Sequence, residues 1–137
     1  MLAVQLLYSV PSLSVDQSKG APSLNLVTHQ LALREFPFQF PEKAGFFVTN
    51  AWLGEPGSYE QKIIISKPDG SSLVETAAMA FELEHSQKVH TMVSFFQGLK
   101  IEVPGLYSVK ILFNGEAVRH FPLAFGNAPE APEATKL

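Results

Sequence analysis

Cysteine is absent from the chain, which excludes a disulfide framework, a thiolate metal site and a cysteine nucleophile. The absence says nothing about compartment, because many cytosolic proteins lack cysteine as well. Charge is also sparse: charged residues make up 17% of the 137 positions and the net charge is −3. A small acidic excess spread along the chain gives no electrostatic footprint for nucleic acid or an anionic membrane. Aspartate occurs only at Asp16 and Asp69, too few for the several Asp-bearing loops of a calcium site. No apolar run approaches the roughly 20 residues that span a bilayer. The first ten residues, MLAVQLLYSV, are apolar but carry no basic residue, and Pro11 and a polar stretch follow directly, unlike a signal peptide. They read as a strand, and the expected location is cytoplasmic.

What the chain does have is apolar and aromatic. The apolar fraction is 46%, with eleven Phe, three Tyr and one Trp, a folded composition with enough length for one self-sufficient core. Apolar residues recur with period two, and Gly and Pro punctuate them. Residues 2–10 alternate on largely apolar faces, and 11–23, with two Pro and several Ser, read as a solvated loop. LNLVTHQLAL (24–33) fits either strand or helix; Val27-Thr28 and the proline soon after favour a strand. Phe36 to Pro41 alternates Phe with Pro, which cannot be a central strand because Pro lacks the N–H. It reads as an extended edge or crossover whose rings plug one end of a sandwich. AGFFVTNAWL (44–53) is a clear strand, with Phe46, Val48, Asn50 and Trp52 on one face. YEQKIIIS (59–66) follows, then the β-turn Lys67-Pro68-Asp69-Gly70 and a short returning strand at 72–76. Residues 77–85 and 89–97 alternate again.

The last strands flank Asn114-Gly115, the strongest short-range hairpin signal in the chain. A plain two-residue turn would set Ile111 against Val118 and send Phe121, Leu123 and Phe125 to the face away from Tyr107, Val109 and Ile111. A bulge with Gly115 at positive φ shifts the pairing by one, so that Ile111 faces Ala117 and Tyr107 faces Phe121. The sequence therefore predicts the bulge. Together these segments predict an all-β antiparallel sandwich of eight or nine strands over residues 1–125, with no helix and a closed barrel as the alternative. Residues 126–137, rich in Pro, Ala and Glu, read as a disordered tail.

From Phe36 to Phe125 the order of features resembles an uncharacterised bacterial domain family of unknown function. The resemblance rests on Phe36-Pro37, FFVTNAWL, PGSYEQKIIISKPDG, VHTMVSFFQGLKI and the terminal hairpin with Pro104-Gly105, Asn114-Gly115 and Pro122-Leu123. It covers about two thirds of the chain and implies a small immunoglobulin-like sandwich. It implies no activity and no catalytic residue.

The residues themselves offer little chemistry. His29, His85, His90 and His120 have no short metal-binding spacing such as H-x-H or HExxH, and no GxSxG elbow accompanies a Ser-His-Asp set. Glu82 and Glu84 lie on one strand face at a spacing compatible with an acid/base pair, but an exposed polar face explains them equally. No metal or cofactor is expected. Trp52 and Tyr59 flank the GEPGS turn; exposed, they would stack on a sugar or anchor a partner, whereas a buried Trp52 would be a core tryptophan. Phe47, Leu53, Ile64, Phe96 and Leu112 are surplus apolar residues on nominally outer faces, which points to self-association. The sequence reading is thus a non-enzymatic interaction or structural module, a homo-oligomer or the partner of an unidentified protein. The alternatives are small-ligand or carbohydrate binding near Trp52 and Tyr59, and a hydrolase.

Overall fold

A computed structural model describes residues 4–127 and 135–136. The chain is all-β, and no helix occurs among the described residues. Its antiparallel sheets are those of the expected sandwich class. Strands β1 (Val4–Asp16), β2 (Ser23–Val27), β5 (Gly45–Gly54) and β9 (His90–Gln97) form a four-stranded sheet in the order β2-β1-β5-β9. A second sheet runs β13-β3-β12-β11-β6-β7 through β3 (Gln30–Leu33), β6 (Gly57–Ser66), β7 (Ser72–Glu75), β11 (Gly105–Phe113), β12 (Glu116–Asn127) and β13 (Thr135–Lys136). Strand β8 (Met79–Leu83) pairs with the first half of β6, and β7 with its last residues. A two-stranded ladder joins β4 (Phe38–Gln39) to β10 (Lys100–Ile101). Strand β3 departs from the antiparallel rule, pairing in parallel with both β12 and β13.

The chain divides into two compact units. The first comprises Met1–Leu7, Ala51–His90 and Leu106–Leu123. Its ladder sets Ile63 against Ile111 and Ile65 against Val109, and all four are buried. Trp52 stacks on Phe81 and packs on Phe113, with ring centroids 5.4 and 5.3 Å away. The second unit comprises Tyr8–Asn50, Thr91–Gly105 and Ala124–Leu137. Phe46 is its hub, stacking on Phe96 at 5.5 Å and touching Phe40 and Phe125 at 6.4 and 6.2 Å.

Several expectations change. Strand β1 runs through Pro11 to Asp16, where a loop was expected. Pro11 needs no N–H there: the β1–β2 register begins at Ser12, and the Pro11 carbonyl accepts from the Thr28 amide at 3.2 Å. Residues 24–33 are two strands, broken where the Thr28 hydroxyl bonds the backbone of Gln30 in both directions, at 2.7 and 3.0 Å. That local ring competes with strand pairing and lets β3 leave the sheet of β2. The disordered tail expected from Gly126 meets strand at Gly126–Asn127 and at Thr135–Lys136; residues 128–134 and 137 lie outside the described residues.

The predicted bulge at Gly115 is also replaced. Asn114 and Gly115 have φ of 48° and 85°, the pair of positive angles that defines a two-residue type I′ turn. Yet odd-numbered residues are buried on both strands, Tyr107, Val109 and Ile111 on β11 and Phe121 and Leu123 on β12, while Lys110, Val118 and His120 are exposed. A two-residue turn aligns odd with even residues, so β12 changes phase between the turn and Phe121.

Candidate functional site

Trp52 offers no surface for a ligand. It is 1% exposed, and its Nε1–H donates to Gln61 Oε1 at 2.7 Å. Tyr59 is half-buried, packs on Phe81 and Phe113, and donates its hydroxyl to the Glu55 carbonyl at 2.9 Å. The two residues share one aromatic cluster, with Trp52 as the core tryptophan of the alternative reading.

Of the titratable candidates, Glu82, Glu84 and His90, but not His29, His85 or His120, line one groove of about 570 Å³ in the first unit, beside Ser58, Phe81 and Lys88. The Ser58 hydroxyl donates to Glu82 Oε1 at 3.3 Å, Lys88 pairs with Glu84 at 3.9 Å, and the His90 ring stacks on Phe81 at 5.4 Å. The serine is therefore joined to a carboxylate directly and not through an imidazole, which differs from the order of a Ser-His-Asp relay. Among the described residues no three His, Cys, Asp or Glu side chains gather as metal ligands would.

A second groove, of about 630 Å³, lies in the second unit and is mostly apolar. Leu13 on β1, Phe47 on β5 and Phe95 on β9 line it from three adjacent strands. Alternation places Phe46 and Phe96 in the core and turns their neighbours Phe47 and Phe95 outward, where the two rings stack at 4.4 Å and 16°. Phe96, expected on an outer face, is core; Phe95 takes the outer position and remains 39% exposed. The Phe-Pro segment forms the other wall: Phe38 packs edge-on against buried Phe40 at 5.0 Å. Hydrogen bonds from several donors hold that wall. Gln39 Nε2 donates to the Gly98 carbonyl at 2.8 Å, the Phe40 amide to the Leu99 carbonyl at 2.9 Å, and the Gly98 amide to the Ala44 carbonyl at 3.0 Å.

Arg34 and Lys43 complete this groove, both exposed. No carboxylate lines it, and among the described residues neither cation has an ion-pair partner. Pockets of about 300–1,000 Å³ with an apolar lining and a few placed polar groups are typical of small-molecule sites. Phe47 was legible in the sequence as a surplus apolar residue. Phe95, Arg34 and Lys43 were missed; the cations bracketing an aromatic-proline run were the available signal.

No curated protein matches the chain in sequence. Among solved structures, the Pseudomonas fluorescens alkylpurine DNA glycosylase AlkC bound to DNA containing an abasic site analog is similar over 69% of this chain, at 14% identity and a TM-score of 0.48. The chain spans only 28% of that protein's length. Residues 14–125 match the model of a family of unknown function, DUF6941, and the chain belongs to that family.

Proposed function

We propose that this chain is a non-enzymatic, immunoglobulin-like binding module of the bacterial cytoplasm, and that it binds through the groove of Phe38, Phe47 and Phe95. One observation carries the reading: a stacked, half-exposed ring pair lies beside a wall that backbone hydrogen bonds hold in place. Preformed apolar concavities gain more from an occupant than scattered surface apolar residues do, because their lining is already partly desolvated and ordered. The test is an amide-resolved NMR titration with a neutral aromatic probe, 2-naphthamide. Saturable shifts centred on Gly45–Phe47 and Phe95, lost in Phe95→Ser, are expected; no saturable shift there would reject the groove as a binding site.

A second reading, self-association, is favoured at the other edge of the same sheet. Strand β2 is terminal in the sheet order, and Leu26 and Val27 on it are 63% and 52% exposed. An apolar edge strand is a template for pairing with a second copy. Sedimentation would show a dimer that Leu26→Lys dissociates; a monomer at micromolar concentration rejects this reading.

A further inference from the structure

We infer that the occupant of the Phe47–Phe95 groove is a small amphipathic acid, a flat apolar body carrying one carboxylate; this rests on the binding role proposed above. Charge selects the class. The lining holds two cations, Arg34 and Lys43, and no carboxylate, so an anion is attracted and a cation repelled. The planar guanidinium suits a carboxylate with paired hydrogen bonds, and the ammonium adds a point charge.

Ring geometry selects the body. Phe47 and Phe95 form a nearly parallel stack, 16° apart, on the outer face of β5 and β9, and Leu13 extends the apolar row across β1. A flat aromatic body extends such a stack on an outer ring face or meets its ring edges, the offset and edge-to-face arrangements that aromatic pairs favour.

Backbone accounting separates a small molecule from a peptide. A peptide adding to the β9 edge needs free backbone groups along that edge. Just past the groove end of β9, the Gly98 and Leu99 carbonyls already accept from Gln39 Nε2 and the Phe40 amide, so a strand added there would have to displace the Phe-Pro segment. Side chains are left to recognise the occupant, and a volume near 630 Å³ is on the scale of a small ligand.

The experiment compares two isosteres, 2-naphthoate and 2-naphthamide, by NMR titration at low and high salt. The naphthoate is expected to bind about tenfold more tightly at low salt, the factor that one charge-assisted contact supplies. In the Arg34→Gln/Lys43→Gln double variant that preference should vanish, the two probes then binding with equal affinity. Equal binding of the two probes by the unaltered protein would overturn the inference and leave the groove reading intact. Failure of both probes would reject the groove reading and the inference together. An acidic peptide binding more tightly than the naphthoate would overturn the small-molecule assignment.

Discussion

The indole N–H of Trp52 and the side-chain oxygen of Gln61 meet at 2.7 Å in a place where neither side chain is reached by solvent. The bond ties β5 to β6 inside the aromatic cluster of Phe81 and Phe113. A buried donor left without its acceptor costs about 1–3 kcal/mol. Gln61→Leu and Trp52→Phe should each destabilise by about that amount in urea denaturation. The double variant should cost less than the sum, because the second change removes a partner already stranded. Additive losses would show that the bond contributes nothing of its own.

Asn114 does two jobs in the hairpin turn. Its amide donates to the Glu60 carbonyl and its Oδ1 accepts from the Glu60 amide, both at 2.9 Å, while its backbone holds φ at 48°. Asn114→Gly keeps the left-handed backbone and loses one side-chain bond, about 0.5–1.5 kcal/mol. Asn114→Ala loses the same bond and adds roughly 1 kcal/mol of left-handed strain. Thermal denaturation should therefore rank the asparagine first, glycine second and alanine last. Alanine matching or exceeding glycine would contradict the positive φ.

Period-two alternation made the central strands legible because each has one buried face or two. Phe46, Val48, Asn50 and Trp52 are buried together as expected, and so are Gln61, Ile63 and Ile65. The Lys67–Gly70 turn also follows from its sequence: the Gly70 amide bonds the Lys67 carbonyl at 2.9 Å and Gly70 has φ of 93°. What alternation hides is phase and partner choice. It does not say that a strand can pass through Pro11 where only the proline carbonyl is used, or that Thr28 divides 24–33 between two sheets. The same ambiguity concealed the groove. Phe95 and Phe96 are equivalent in composition, and only the stacking of Phe96 on Phe46 decides which ring points out. Arg34 and Lys43 look like ordinary surface charges until Phe38 and Phe47 lie beside them.

Asp69 gives the turn a pH dependence. The Ser71 hydroxyl and amide donate to its Oδ1 at 2.6 and 2.9 Å, and these bonds, the hydroxyl's first, hold the carboxyl below its ordinary value of 3.8. A carboxylate with a lowered folded pKa stabilises the fold above its unfolded pKa, and that contribution is lost as pH falls through the folded value. Asp69→Asn should flatten the stability profile below about pH 4 and leave its shape at neutral pH unchanged. Carboxyl NMR titration of Asp69 with a midpoint at or above 3.8 would remove the basis of this prediction.

The ring platform of the groove depends on a glycine that carries no ring. A Cβ on Gly45 would lie 1.8 Å from the Phe96 carbonyl oxygen and 2.8 Å from its carbon, and those are backbone atoms of the neighbouring strand that cannot turn aside. Gly45→Ala must therefore push β9 from β5, at a cost of at least about 3 kcal/mol, the upper range for overpacking. Gly98→Ala is the control from the same region: it has φ of 66° and nothing within 4 Å of an added Cβ, so only roughly 1 kcal/mol of backbone strain is expected. Thermal denaturation should separate the two variants clearly. Because Phe47 and Phe95 stack across the same pair of strands, Gly45→Ala protein that remains folded should also lose naphthyl-probe binding, whereas Gly98→Ala should retain it. Near-native stability of Gly45→Ala would mean that β5 and β9 are not in contact at Phe96, and the stacked platform would fall with that contact.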